Sequence, residues 1–250
     1  SSPHAAPVAE PHILVIPKWW PNARDPQLGD FLRKQVQALA LTTKVTVLLV
    51  EAEQHTGTHH MEADGLQVVR GNYKASTSRL TAWRKLVNLA GYWRAAMAGW
   101  RIVVAERGKP DLVHVHILAR PALIARWIKL RHGIPYLLSE QSSVYLDGTY
   151  QRRGALFHLV NRWLFSGAAS ITAVSTWLGE RLVELGLCTR YEVVPNVIPG
   201  LDRPLPLPGP IGRFMVVADL VDRTKNVSGV ILALANVVSR GADARLTIIG

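Results

Sequence analysis

Two histidines alternate along an apolar stretch of the sequence. His114 and His116 stand in "DLVHVHIL", residues 111–118, a pattern that predicts a buried β-strand. Side chains alternate between the faces of a strand, so both rings point the same way, with His114 about 6–7 Å further down. His116 is last in the strand, next to the crevice where open parallel sheets bind ligands. We predict a functional role for His116 and a hydrogen-bonded core position for His114.

The next predicted strand also ends in polar residues. Glu140 and Gln141 close the stretch "PYLLSEQ". Because the carboxyl ends of parallel strands meet at one edge of a sheet, both side chains are expected in the same crevice as His116.

Two residues near the first predicted helix are candidates for ligand contact. Gly29 follows a long loop and precedes the helix, so backbone N–H groups there could approach a phosphate without side-chain obstruction. A turn glycine without a ligand is the alternative. Arg33, in the first turns of that helix, is either an acceptor-side contact in the cleft or a solvated surface charge.

A second anion-binding candidate lies near the end of the sequence. Arg223 and Lys225 stand in "ADLVDRTKN", between a predicted strand and a predicted helix. Cations beside a helix N-terminus suit a diphosphate, because the terminus already favours anions. Asp219 and Asp222 lie close by, and surface ion pairs with them are the alternative.

The elements that position these residues follow an alternating pattern. Runs of strand length alternate with stretches of helical period, which is typical of parallel strands joined by crossover helices. The predicted strands span residues 12–17, 44–50, 66–71, 111–116, 135–141, 170–175 and 191–196. The predicted helices lie near residues 30–41, 79–105, 119–131, 153–166 and 176–186. The pattern predicts a doubly wound α/β domain over residues 12–197, after a flexible lead-in of residues 1–11.

A segment rich in proline and glycine follows this domain. The stretch "VIPGLDRPLPLPGPIG" can continue neither a helix nor a central strand, so residues 198–210 are predicted to be an interdomain linker. A strand at 213–220, a helix at about 226–239 and a strand at 244–250 follow. Because so few residues bury too little surface to fold alone, residues 211–250 are predicted to open a second, incomplete Rossmann-like domain.

Composition limits the classes of partner. The formal net charge of +11 and the isoelectric point near 10.2 favour an anionic partner or substrate. Zinc-finger spacing, aromatic RNA-binding signatures and blocks of basic residues are missing from the sequence, which disfavours nucleic acid. A single cysteine, Cys188, fits a reducing cytoplasm.

The predicted long helix is a candidate membrane contact. Residues 79–109 contain seven Lys or Arg against Glu106 alone. Tryptophans recur at helical spacing, and such a helix can lie in an anionic membrane interface. Packing of its apolar side on the sheet is the alternative. The candidate contacts are Trp83, Arg84, Lys85, Trp93, Arg94 and Arg101.

An ordered set of motifs resembles a known family. "WWPN…GDFLRKQVQALA", "PDLVHVHILA", "GIPYLLSEQSS", "ITAVSTWLGERL", "YEVVPNVI" and "VADLVDRTKNVSGVILALANV" are similar to glycosyltransferase family four, retaining enzymes of the GT-B fold. The resemblance implies two Rossmann-like domains, with the acceptor held mainly by the first and a nucleotide-diphosphate-sugar donor mainly by the second. It also implies a reaction without a metal ion or other cofactor.

The resemblance assigns roles to four residues. His116 matches the histidine near the donor sugar that stabilises the transition state. Gly29 matches the glycine whose loop faces the donor phosphates, Lys225 matches the lysine that binds them, and Asn196 matches the interdomain turn beside the cleft.

Two motifs depart from the family pattern. Residues 218–220 are Ala-Asp-Leu where many members have Gly-Arg-Leu, so Arg223 is the candidate replacement for the missing arginine. Residues 139–141 are Ser-Glu-Gln where many members have Thr-Glu-His, which disfavours an acid–base role there.

The functional expectation is a cytoplasmic, peripherally membrane-associated hexosyltransferase acting on a lipid-linked acceptor or a cell-surface polysaccharide precursor. A nucleotide-sugar epimerase of the same architecture and a non-catalytic sugar-nucleotide or membrane-binding subunit are the alternatives. The family grips the donor with two glutamates eight positions apart, which would follow Gly250. Residues 1–250 by themselves are therefore expected to be inactive in transfer.

Overall fold

A computed structural model describes residues 10–197, 212–218 and 220–250, except the side chains of Arg223 and Thr224. The chain divides into two compact units, Ser1–Pro199 and Gly200–Gly250. Most of the predicted lead-in, all of the predicted linker and Asp219 lie outside the described residues.

The first unit is built on one eight-stranded sheet. Its order is β3-β4-β2-β1-β5-β6-β7-β8, and every neighbouring pair is parallel except β3 with β4. The strands are β1 (His12–Pro17), β2 (Lys44–Glu53), β3 (Gly57–Ala63), β4 (Leu66–Lys74), β5 (Leu112–His116), β6 (Tyr136–Glu140), β7 (Ser170–Ala173) and β8 (Glu192–Val193). The helices are α1 (Asp30–Leu39), α2 (Thr81–Ile102), α3 (Arg120–His132), α4 (Ala155–Gly167) and α5 (Thr176–Glu184).

Alternating side chains of the strands form two separate apolar cores. Leu14 and Ile16 of β1 pack into the larger core, which contains residues of α2, α3, α4 and α5. Ile13 and Val15 pack on the opposite face, with Val36 of α1. Helices therefore cover both faces, and the predicted doubly wound α/β fold is confirmed. The chain leaves β1 for β2 on one side, while β5 pairs on the other side, so β1 and β5 flank the topological switch point.

The edge strand β3 was not predicted from the sequence. It pairs antiparallel with β4 through a tight turn in which Asp64 and Gly65 both have positive φ, 54° and 75°. This is the conformation that an Asp-Gly hairpin favours. Most of its side chains are exposed or half-buried, so no apolar alternation marks it in the sequence.

The second unit contains a two-stranded parallel sheet. Strands β9 (Arg213–Val217) and β10 (Arg245–Ile249) are joined through the short helix α6 (Asp222–Lys225) and the longer helix α7 (Val227–Ser239). Two further short segments belong to the first unit: a π-helical turn at Val103–Arg107 that continues α2, and a 3-10 turn at Ser143–Tyr145. Among the helices of the described residues, none combines the length and apolarity that a bilayer span requires.

Candidate functional site

The two histidines stack at the carboxyl end of β5. Their ring centroids are 4.1 Å apart, with planes inclined by 33°. His114 Nε2 lies 2.7 Å from Ser139 Oγ on β6, which lies 2.6 Å from Thr172 Oγ1 on β7. Neighbouring strands thus fix His114 through a hydrogen-bonded chain, and His114 supports the ring above it.

His116 has no such partners. It is 2% exposed, and neither of its ring nitrogens has a hydrogen-bond partner among the described residues. Burial and the neighbouring His114 hold the pKa of His116 well below its usual range. Burial also lowers the pKa of His114 to about 4. Both rings are neutral at pH 7, so His116 offers a ligand one free donor and one free acceptor.

A cavity of about 230 Å³ contains both histidines. Its wall also includes residues of α1, β6, β7 and the segment after β8: Gln35, Val36, Leu39, Ser139, Glu140, Gln141, Thr172, Val174, Val194, Pro195 and Val197. The predicted convergence of polar strand ends is therefore present in one cavity. No group of three or more His, Cys, Asp or Glu suited to a metal ion occurs in the described ranges.

Glu140 holds two loops together at this edge. Its carboxylate accepts hydrogen bonds from the backbone N–H groups of Leu118, Gln141 and Ser142 at 2.9–3.0 Å. Burial raises the pKa of Glu140, against the opposing effects of these amides and of Lys18. The carboxylate thus ties the loop after β5 to the loop after β6.

A network of amides links three segments around the cavity. Gln141 Nε2 donates to Gln35 Oε1 at 2.9 Å, and Gln35 Nε2 donates to Asn196 Oδ1 at 3.1 Å. Gln141 Oε1 is buried, with no partner among the described residues. It is a second unsatisfied group in the cavity, beside His116. We did not identify Gln35 from the sequence. The signal that could have indicated it was its position next to Val36, an apolar residue of α1.

Gly29 has a structural reason to be glycine. Its φ is +68°, and a Cβ there would lie 2.7 Å from the carbonyl carbon and oxygen of Trp19. Close packing of the loop after β1 therefore excludes other residues, and contact with donor phosphates stays a prediction.

Arg33 lies in ion pairs outside this cavity. It donates to Asp30 Oδ1 at 2.7 Å and to Asp64 Oδ2 at 2.8 Å, and it does not line the cavity. Its predicted contact in the cleft stays a prediction.

In the second unit, the predicted phosphate-binding cation is Lys225. Lys225 is exposed at the end of α6, and no described carboxylate forms an ion pair with it. Asp222 is occupied otherwise, since Ser228 donates to it through its backbone N–H and its hydroxyl, both at 2.7 Å. The Arg223 side chain lies outside the described residues.

The candidate membrane contacts on α2 divide between surface and core. Trp83, Arg84, Lys85 and Arg101 are exposed. Trp93 is half-buried and packs edge-on against Trp127 of α3, with centroids 5.9 Å apart. Arg94 lines a groove of about 630 Å³ between α2, α3 and α4.

The chain resembles two solved glycosyltransferase-type structures in fold. One is the trehalose-6-phosphate structure from E. coli bound with UDP-2-fluoro glucose: 13% identity, TM-score 0.56, covering 95% of this chain and 64% of that one. The other is Arabidopsis thaliana UGT89C1 complexed with UDP-L-rhamnose: 14% identity, TM-score 0.53, covering 96% and 65%. This chain thus spans about two thirds of their length. They support a Rossmann-like GT-B fold.

Sequence comparison assigns the family. No curated protein sequence matches significantly. The family model described as "Glycosyl transferase 4-like domain" matches residues 28–197, which include both histidines, Glu140, Gln141 and Asn196. The match covers more than half of the chain and confirms the resemblance noted in the motifs. The chain belongs to the glycosyl transferase 4-like domain family.

Proposed function

We propose that the protein transfers a hexose, with retention of configuration, from a nucleotide-diphosphate sugar to a sugar or lipid-linked acceptor. One observation carries the proposal: His116 is buried at the switch-point edge of the sheet and lines a cavity, and no described residue forms a hydrogen bond with either of its ring nitrogens. Unsatisfied buried polar groups cost about 1–3 kcal/mol each, a cost that a bound sugar would remove. The two similar structures contain bound UDP-sugars, which supports the donor class.

The proposed chemistry needs no protein base. The bond between the anomeric carbon and the diphosphate oxygen breaks, and the acceptor oxygen forms the new bond from the same face. The acceptor proton passes to the leaving phosphate oxygen. Lys225 and Arg223 stabilise the charge that develops on the diphosphate, while His116 contacts the sugar. Gly29 and Asn196 are the further proposed contacts of the donor, and the reaction proceeds without a metal ion.

The test is a transfer assay on the full-length protein with His116→Ala. We expect kcat to fall about 100- to 1000-fold, the usual effect of removing one group that stabilises a transition state. His59→Ala, at an exposed position of the edge strand, is the matched control and should keep wild-type turnover. NMR of the product gives its anomeric configuration and so tests retention. The activity that remains after chelation of metal ions tests metal independence. Wild-type turnover in His116→Ala would contradict the assignment of His116 to the active site.

We also propose that the protein attaches to the cytoplasmic face of an anionic membrane through α2, α3 and α4. These helices carry four, four and one Lys or Arg respectively, and none contains Asp or Glu. Exposed apolar side chains accompany the charges: Leu80, Trp83, Leu86, Leu89, Leu130 and Trp163. We call these six residues the apolar patch.

The charge distribution distinguishes a membrane from other partners. An apolar patch with a one-sided excess of cations matches a bilayer that offers acyl chains beneath anionic headgroups. Arg126 lies over the ring of Trp163 at 4.9 Å, so cation and aromatic side chain are presented together. A lipid-linked acceptor would then be at the same membrane as the enzyme and would not have to diffuse through solution.

A further inference from the structure

A second cavity lies at the switch point, on the other side of Glu140. Its volume is about 320 Å³. The wall consists of Lys18 after β1, the loop from Ile117 to Arg120, the segment after β6 and the first half of α4. Glu140 lines both this cavity and the one that contains His116, so the two cavities share one residue of their walls.

Three cations line this cavity. Lys18, Arg120 and Arg153 form no ion pair with any carboxylate of the described residues. Glu140 is the acidic residue of the wall, and backbone amides already occupy its oxygens. Desolvation lowers the pKa of Lys18, an effect that Glu140 only partly opposes. Three cations against one carboxylate leave the cavity wall with an excess of positive charge.

Aromatic side chains orient the two arginines. Arg120 donates to the hydroxyl of Tyr73 at 2.7 Å and lies 5.5 Å from the ring centroid of Tyr92. Arg153 lies 5.5 Å from the ring centroid of Phe157. Guanidinium groups held in this way lose less freedom on binding an anion, and their forked donors match phosphate and carboxylate oxygens.

The side-chain oxygen of Asn161 indicates that the ligand also carries a hydrogen-bond donor. Asn161 is 2% exposed, and its Nδ2 donates to the carbonyl oxygen of Phe157 at 2.7 Å. Its Oδ1 is buried without a hydrogen-bond partner in the described part of the chain. Since Asn161 lines the cavity, the natural partner of Oδ1 is a donor on a ligand, such as a hydroxyl group.

The loop that closes the cavity is held in an uncommon backbone conformation. Ile117 and Ala119 have φ values of 65° and 138°, a region that residues other than glycine rarely adopt. The hydrogen bonds from Ile117 N to Ser139 O and from Leu118 N to Glu140 hold this loop in place. Such strain persists where surrounding structure enforces it, and it concentrates at binding sites.

We propose that this cavity binds an anionic sugar, a phosphorylated or carboxylated monosaccharide unit, with Lys18, Arg120 and Arg153 on the charged group and Asn161 on a hydroxyl. The volume is at the small end of ligand sites, about 300–1,000 Å³, and suits one sugar ring with its substituent. That this sugar is the acceptor rests on the proposed function and on Glu140, which lines both this cavity and the His116 site. The binding of an anionic sugar does not rest on it.

Calorimetry on the chain without any donor tests the proposal. The probes are glucose 6-phosphate, glucuronate and glucose. At least one charged sugar should bind at least about tenfold more tightly than glucose, and the preferred one identifies phosphate or carboxylate as the charged group. Arg120→Gln and Arg153→Gln should each weaken that binding about tenfold. Arg153 is exposed, so its variant keeps the test valid if Arg120→Gln does not fold.

Two matched measurements separate this site from the general charge of the surface. Arg152→Gln changes the neighbouring arginine, which does not line the cavity, and should leave binding unchanged. Asn161→Leu should weaken binding of the charged sugar while leaving the affinity for inorganic phosphate unchanged. Equal affinity for charged and neutral sugars, or equal effects of Arg152→Gln and Arg153→Gln, would overturn the proposal. A protein that binds the anionic sugar but transfers nothing would contradict only the proposed function.

Discussion

At the scale of single residues, the protonation of the two stacked histidines is the most testable property. His116 is buried and His114 is half-buried, and the pKa of His114 is lowered to about 4 and that of His116 well below its usual range, so both rings are neutral at pH 7. In the unfolded chain each has an ordinary pKa of about 6.5. The unfolded state therefore binds more protons below pH 6.5, and acid shifts the equilibrium toward it.

We expect the free energy of unfolding of the first unit to fall from pH 6.5 down to about pH 4, by about 1.4 kcal/mol per pH unit for each histidine. Urea unfolding followed by tryptophan fluorescence measures this, because all eight tryptophans lie in the first unit. His116→Gln should reduce the slope by the contribution of one histidine. A slope in His116→Gln equal to that of the wild type would contradict the lowered pKa of His116.

At the scale of elements, Glu140 determines how two loops meet. Three backbone N–H groups from the loops after β5 and β6 converge on its carboxylate, and they have no other acceptor when it is removed. Glu140→Ala should lower the free energy of unfolding by about 2–4 kcal/mol, since buried donors are left unsatisfied. The measurement is a urea titration at pH 7.

Glu180→Ala provides the comparison for this experiment. Glu180 is exposed on α5, and its removal should change stability by less than about 0.5 kcal/mol. A Glu140→Ala variant as stable as Glu180→Ala would mean that water satisfies the three amides, and that the carboxylate is free for another role.

At the scale of the whole molecule, charge is distributed unevenly between the helices. The helices α2, α3 and α4 contain only basic charged residues, whereas α1 and α5 contain acidic residues as well. Exposed apolar side chains lie on the same three helices, including Trp83 at 58% and Leu86 at 61% exposure. This coincidence is the basis of the proposed membrane attachment.

Co-sedimentation with vesicles tests the attachment. We expect binding to phosphatidylcholine vesicles that contain phosphatidylglycerol but not to phosphatidylcholine alone. Binding should weaken as salt rises, because the screening length falls from about 10 Å at 0.1 M to about 3 Å at 1 M. Trp83→Ser should reduce binding about tenfold, since burying an aromatic side chain contributes about 1.5–3 kcal/mol.

The control for this prediction is a second exposed tryptophan. Trp177 is 67% exposed but lies on α5, outside the apolar patch, so Trp177→Ser should bind vesicles like the wild type. Vesicle binding that depends on neither the salt concentration nor the headgroup charge would contradict attachment through α2, α3 and α4. An equal loss of vesicle binding in the two tryptophan variants would contradict it as well.

The sequence by itself determined the alternation of strands and helices, the end-of-strand position of His116 and the family. These depend on local periodicity and on residues adjacent in the chain, which short-range sterics and hydrogen bonding control. The edge strand β3 was missed because its exposed residues show no apolar alternation. The single apolar face predicted for α2 is divided into two regions, because its buried residues all lie between Gly91 and Trp100, whereas Trp83, Leu86 and Leu89 in its first half are exposed.

Only the tertiary structure decided which polar groups are satisfied. Arg33 pairs with Asp64, 31 positions away in the sequence, and Gln35 donates to Asn196, 161 positions away. Among the described residues, the ring nitrogens of His116 and Asn161 Oδ1 have no hydrogen-bond partner. Lys18, Arg120, Arg153 and Asn161 form one cavity although they come from three separate parts of the chain. Whether a side chain is paired depends on which groups folding brings close to it. The spacing of residues in the sequence does not give the distances between such groups.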